Sequence, residues 1–191
     1  VSPYRYPYPL LDAKRAIRYV RYHAKEWNIN PNRIGVLGFS AGGHLAATVG
    51  THFDFGDRNS DDPIERVSCR PDAMILCYPV ISFGEFRHEG SMNALLGDKP
   101  SQDMIALLSN ETQVTADTPP AFLWHTANDP GVLVENSLLF ASALSKNKVS
   151  FELHIFPEGP HGLGLAQEHP QVKVWTRLCE EWLKSMGFAG V

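Results

Sequence analysis

The residues Gly38-Phe39-Ser40-Ala41-Gly42 fit the pattern G-x-S-x-G. A serine hydroxyl is a weak nucleophile until a base takes its proton and the backbone holds it clear of its neighbours. The flanking sequence predicts that presentation. Before Ser40 runs a short apolar stretch, Arg33–Phe39, bounded by turn residues and read as a buried strand. After it comes AGGHLAATVG, read as a helix whose glycines are tolerable near its start. A sharp strand-to-helix turn brings the positions two before and two after the serine together, so Gly38 and Gly42 are both read as sterically required. The N-terminus of the following helix offers free N–H groups to negative charge, and the N–H of Ala41 is the first expected oxyanion donor. As a plain N-cap, Ser40 would need neither glycine.

A base and an acid should follow, each on a loop after a later strand. His161 meets that demand in FPEGPHGLG, between Pro160 and Gly162. His23 and His44 fall on helices, His154 inside a strand, His52 and His88 ahead of the acid region, and His169 beyond the loop. For the acid, Asp129 sits three residues past a predicted strand, before a helix. It would fix the imidazole tautomer and stabilise the imidazolium. Glu158, on the histidine's own loop, and Asp117 are the rivals. A turn aspartate before Pro130 is the bland alternative.

The elements that must position these groups alternate. An extended loop is read over Ser2–Pro9. A helix follows over Leu10–Trp27, with Ala13, Ile17, Val20, Ala24 and Trp27 on its buried face. Strands are expected at Arg33–Phe39, Ala73–Tyr78, Ala121–Thr126 and Ser150–Phe156. Short helical pieces are expected near Ser91–Leu96 and Gln102–Leu108. Longer helices are expected over Val132–Lys146, with Val134, Leu138 and Ala141 facing in, and over Gln171–Met186. Thr51–Pro71 reads as a surface excursion. This alternation implies an α/β fold with a mostly parallel sheet and flanking helices. One domain over residues 1–191 accounts for the whole chain. With 43% hydrophobic and 20% charged residues the composition is that of an ordinary globular protein. A net charge of −4 without a basic patch argues against nucleic acid as a partner, and no apolar run is long enough for a membrane helix. Cys69, Cys77 and Cys179 are too scattered for a metal or redox motif, so no metal is expected. The chain opens on Val1 and reads as the interior of a longer protein, which leaves its compartment open.

With these sites placed, the chain resembles the acetyl-xylan-esterase and feruloyl-esterase branch of the α/β hydrolases, and more distantly the hormone-sensitive-lipase-like esterases. The stretches that carry the resemblance are YPYPLLDAKRAIRYVR, NRIGVLGFSAGGHLAA, RPDAMILCYPVIS, TPPAFLWHTANDPGVLVENS and FPEGPHGLGLA. The resemblance implies that Ser40, Asp129 and His161 form the triad and that short-chain carboxylic esters are hydrolysed, acetyl groups on plant polysaccharides among them. It also implies that neither metal nor organic cofactor takes part. Two departures stand out. The acid loop reads Asp129-Pro130-Gly131-Val132-Leu133 where relatives often show D-x-x-V-P. Nothing glycine-rich precedes Gly35, whereas such enzymes complete the oxyanion hole from a glycine-rich loop well before the elbow. The resemblance therefore implies that the first strands of the fold are missing and that this chain is its C-terminal portion.

Two other functions remain open from the residues. A prolyl-oligopeptidase-like serine peptidase shares the order of the triad, and a non-catalytic fragment would explain the missing loop. Phe83, Phe86 and His88, with Arg87, follow the second strand and are the candidates for contact with substrate; an ordinary apolar patch under a long loop is the plainer reading. An unpaired Arg33–Phe39 edge is a liability that proteins cover. It predicts association with a second copy, most simply a two-fold dimer.

Overall fold

The computed structural model describes residues 4–188; Ser2 and Pro3 of the predicted opening loop lie outside them. Helix α1 runs Tyr8–Tyr22, with a proline in its first turn where the missing N–H costs nothing. It begins two residues before the expected Leu10 and ends five residues before the expected Trp27. The chain turns over 23–28, Asn28 takes a positive φ of 53°, and Trp27 stacks on His23 at 45% exposure instead of joining the core. Strand β1 is Gly35–Phe39 and α2 is Ala41–Thr51. Strand β2 is Ala73–Cys77, followed by α3 (Glu89–Leu96), α4 (Gln102–Leu107) and a 3₁₀ turn over Asn110–Thr112 that the sequence did not announce. Strand β3 is Ala121–Thr126, α5 is Glu135–Lys146, β4 is Phe151–Phe156 and α6 is Trp175–Ser185.

The four strands are parallel and lie in the order β1-β2-β3-β4. A parallel sheet is buried on both faces, which is why β2 and β3 read as continuous apolar runs. Alternation assigns each residue to a layer. Met74 and Leu76 of β2 and Ala121 and Leu123 of β3 meet Ala46 and Ala47 of α2 and Phe140 and Leu144 of α5. Ala73, Ile75 and Cys77, with Phe122 and Trp124, face Trp175, Cys179 and Trp182 of α6 on the other side. Each large side chain buried in this way contributes about 1.5–3 kcal/mol. Helix α1 packs outside α2 through Leu10 and Ile17 against Ile34 and Val49. Its basic face holds the excursion after α2: the buried Arg18 pairs with Asp54, and Arg21 with Asp72 at 2.8 Å.

Helix α5 departs from the expected orientation at Leu138, while Ala141 faces in as expected. Leu138 is 45% exposed, while Asn136, Ser137, Phe140, Ala141 and Leu144 are buried. Two polar residues on the inner face find partners there. Asn136 Oδ1 accepts from the N–H groups of Ile81 and Ser82 at 2.9 and 3.0 Å, and Ser137 bonds His125. No helix among the described residues is long and apolar enough to cross a membrane.

Candidate active site

Register carries the site residues to one edge. Phe39, Cys77 and Trp124 lie abreast, so β1, β2 and β3 end at similar heights. Ser40 follows β1 directly, Asp129 comes three residues after β3, and His161 five residues after β4. All three emerge at the carboxyl end of a parallel sheet, where sites in open α/β folds form.

Ser40 occupies φ 52°, ψ −119°, a conformation that costs a non-glycine residue on the order of 1–3 kcal/mol. The strain persists because the residue is fixed from three sides. Its N–H donates to Cys77 O at 3.0 Å, and its carbonyl accepts from Val80 N–H at 3.0 Å and His44 N–H at 3.2 Å. Although Ser40 stands at the N-cap of α2, its hydroxyl makes no capping bond. It donates instead to His161 Nε2 at 2.7 Å, across 121 residues of chain. His161 Nδ1 donates in turn to Asp129 Oδ2 at 2.7 Å. The other carboxylate oxygen accepts from Gly131 N–H at 2.8 Å and Val132 N–H at 3.0 Å. Burial pushes the Asp129 carboxyl up, but the bonds from His161, Val132 and Gly131 outweigh it and hold the group below the usual carboxylate range. A carboxylate can only accept, so the imidazole hydrogen sits on Nδ1 and Nε2 is left bare toward Ser40.

The rivals lie elsewhere. Glu158 borders a second, shallower hollow with Asn128, Pro130 and His169. Asp117 is exposed, and its carbonyl accepts from Arg70. Ala41 opens α2, and its N–H, in the first turn, has no acceptor within the helix. It borders a cavity of about 510 Å³ together with Gly42, His44, Leu45, Phe83 and His88. Phe83 is buried with its ring stacked on His44, centroids 4.4 Å apart. The His88 ring caps α3, accepting from Ser91 N–H at 3.1 Å. Phe86 does not border the cavity, and its carbonyl accepts from Asn136 Nδ2 at 2.9 Å. Burial lowers His44 to about 4, leaving a neutral imidazole in the cavity wall.

The glycine reading needs one correction. A Cβ on Gly38 would sit 2.1 Å from Gly42 O, as the sharp turn demands, but a Cβ on Gly42 would meet nothing within 4 Å. The second tight position is Gly43, where a Cβ would lie 2.7 Å from Pro79 Cβ. Two residues that the sequence did not single out also touch the site. Tyr78, in positive φ just past β2, sets its ring edge-on to His161 at 5.1 Å and accepts from Gly164 N–H at 2.8 Å. His125, inside β3, lies 3.4 Å from Asp129 Oδ2. Its signal was the spacing of four residues before the acid, hidden in an apolar strand. Among the described residues no three His, Cys, Asp or Glu side chains group as a metal ion would require.

The BD-FAE family model matches residues 2–144. The chain is 42% identical over 160 residues to endo-1,4-beta-xylanase B of Butyrivibrio fibrisolvens, covering 84% of this chain and 25% of that protein. It is 34% identical over 198 residues to the acetylxylan esterase of Xylanibacter ruminicola, covering 98% of this chain and 37% of that one. Of solved structures, the acetyl ester-xyloside bifunctional hydrolase from Caldicellulosiruptor lactoaceticus superposes with a TM-score of 0.98 at 65% identity, covering all of this chain and 70% of that one. The chain thus spans between a quarter and two fifths of the length of these two curated relatives.

Proposed function

The chain belongs to the BD-FAE family of α/β hydrolases, and from that membership we propose that it hydrolyses short-chain carboxylic esters through Ser40, His161 and Asp129. The observation that carries the reading is the unbroken pair of 2.7 Å hydrogen bonds from Ser40 Oγ through His161 to Asp129. In the first step Ser40 Oγ attacks the ester carbonyl carbon while His161 Nε2 takes the hydroxyl proton. Asp129 holds the ring in the tautomer that leaves Nε2 bare and stabilises the imidazolium that forms. Negative charge gathers on the carbonyl oxygen, and the Ala41 N–H, in the first turn of α2 and without an acceptor in the helix, is the donor this reading assigns to it. The tetrahedral intermediate then expels the alcohol, which takes the proton back from His161. The acyl group remains on Ser40. Water, giving its proton to the same Nε2, attacks the acyl carbon; the bond from Ser40 Oγ to that carbon then breaks, Nε2 returns the proton to Oγ, and the carboxylic acid leaves.

Acetyl groups on carbohydrate are the substrate favoured by this reading. Its support is the company the chain keeps: an acetylxylan esterase and an acetyl ester-xyloside hydrolase are among its relatives. That Phe83 and His88 border the same cavity as Ala41 supports contact with the substrate for both.

Ser40→Ala is the deciding experiment. The variant should fold, lose nitrophenyl acetate hydrolysis and lose labelling by a fluorophosphonate. Retention of most of the activity would refute the assignment. Asp129→Asn should lower turnover by about 10⁴, the scale of a wrong imidazole tautomer. Acetylated xylo-oligosaccharides, longer acyl esters and a peptidyl anilide, run side by side, test the substrate class. A preference for the anilide would favour a peptidase instead.

A further inference from the structure

His125 is fully buried inside β3 and takes no part in the proton path proposed above. Its two ring nitrogens are nevertheless both engaged. Nε2 is 2.9 Å from the Val132 carbonyl oxygen, and Nδ1 is 2.8 Å from Ser137 Oγ. A carbonyl only accepts, so Nε2 carries the hydrogen and donates it. In the neutral ring Nδ1 is then a bare lone pair and accepts from the Ser137 hydroxyl. Burial holds this imidazole below its usual range, which keeps it in that neutral form.

The same Nε2 lies 3.4 Å from Asp129 Oδ2, the oxygen that accepts from His161. Val132 connects the two histidines. Its carbonyl is held by His125, and its N–H donates to Asp129 Oδ1 at 3.0 Å. The turn that presents the carboxylate is therefore fixed at its far end by a side chain of the strand beneath it. That anchor matters here because the acid loop carries Gly131, a residue that restrains its own backbone poorly. A Cβ on Gly131 would lie 3.0 Å from the His161 Cβ, so a larger residue there would press on that histidine.

We propose that His125 is a positioning residue for the acid: it clamps the 129–132 turn through the Val132 carbonyl and sets a second N–H beside Asp129 Oδ2, so that this oxygen stays aimed at His161 Nδ1. The proposal rests on the reading of Ser40, His161 and Asp129 as the catalytic groups. The titratable groups that face one another here are few. His125 faces Asp129 and His161; His161 faces Asp129 and the Tyr78 ring.

The test compares His125→Phe, His125→Gln and Ser137→Ala with the wild-type chain and Ser40→Ala, reading kcat, KM and the pH profile of kcat/KM on a nitrophenyl ester. His125→Phe keeps a flat ring in the strand and removes the donor. It should lower kcat about 10- to 100-fold, the scale of a misplaced reacting group, with KM nearly unchanged. The acid limb of its profile should move to higher pH, because a carboxylate with fewer N–H donors is a stronger partner for an imidazolium. His125→Gln retains an N–H within reach of the Val132 carbonyl and should recover much of kcat. Ser137→Ala frees the ring and should shift both readouts in the same direction by less. A folded His125→Phe variant with wild-type kcat and acid limb would overturn the proposal, as would a His125→Gln variant no better than it. Should His125→Phe fail to fold, Ser137→Ala decides: unchanged kcat and acid limb overturn the proposal, and a fall with a shifted limb supports it. Ser40→Ala separates the two levels. Full turnover there removes the catalytic reading itself, whereas an inert Ser40→Ala beside an unaffected His125→Phe refutes only the role of His125.

Discussion

A methyl group on Gly38 would lie 2.1 Å from the carbonyl oxygen of Gly42, whereas one on Gly42 would meet nothing within 4 Å. The contact across the elbow is one-sided: the backbone of Gly42 presses on the α-carbon of Gly38, and the α-hydrogens of Gly42 face open space. Gly38→Ala should therefore destabilise the fold by about 3 kcal/mol or more, since backbone must move, and Gly43→Ala should behave similarly against Pro79. Gly42→Ala, in the first turn of α2, should be neutral or should stabilise by up to about 1 kcal/mol. Urea denaturation midpoints check this. A Gly42→Ala variant as unstable as Gly38→Ala would contradict the one-sided contact.

The Tyr78 hydroxyl ties the loop after β4 by accepting from Gly164 N–H, while the Tyr78 ring supports His161. Tyr78→Phe keeps the ring and strands that N–H, a loss of about 1–3 kcal/mol if the group stays dry. A lower melting temperature and a fall in kcat with little change in KM are expected. An unchanged melting temperature would show that water replaces the hydroxyl at no cost.

The parts of this molecule that the sequence made legible are those where local chemistry and position agree. Ser40, Asp129 and His161 each follow a strand closely, and strands β2 and β3 announce themselves as apolar runs because both faces of the sheet are covered. What could not be read depended on tertiary partners. Asn136 and Ser137 look like solvent-facing residues, yet the N–H groups of Ile81 and Ser82 and the ring of His125 draw them inward and turn Leu138 out. Trp27 continues the apolar spacing of α1, but the helix has ended by Tyr22 and no core lies within its reach. His125 was hidden for a similar reason. Inside AFLWHT nothing marks a histidine as a neighbour of the acid until the turn at 129–132 folds back over it.

Stability should fall in mild acid, and His44 should be a principal cause. Burial lowers this imidazole to about 4 in the folded chain, against roughly 6.5 when unfolded. Between those values the unfolded chain binds a proton that the folded chain refuses, so stability is fully present above about pH 6.5 and is lost as pH falls toward 4. The slope from one such group reaches about 1.4 kcal/mol per pH unit. Burial also lowers His52 and His125, which act in the same direction. His44→Gln, which can keep a hydrogen bond to the Leu108 carbonyl, should flatten the dependence between pH 6.5 and 4. Urea unfolding at several pH values gives the slope directly, and an unchanged slope in this variant would assign the effect to other groups.

Among the described residues no strand pairs with β1 on the side away from β2. Leu37, in the middle of β1, is 50% exposed, while its neighbour Gly38 is buried against the elbow. A strand edge with free N–H and C=O groups and an exposed leucine is a template for another strand. We propose that the 191-residue chain, purified alone, pairs two copies through this edge. Two-fold symmetry places β1 against β1 of the second copy and covers both Leu37 side chains at once. Light scattering should return twice the monomer mass at micromolar concentration. Leu37→Lys, which puts a charge at the centre of that contact and lies outside the proposed catalytic groups, should return the monomer with the fold retained. A monodisperse wild-type monomer that stays soluble at high concentration would show that the β1 edge needs no strand from a second copy.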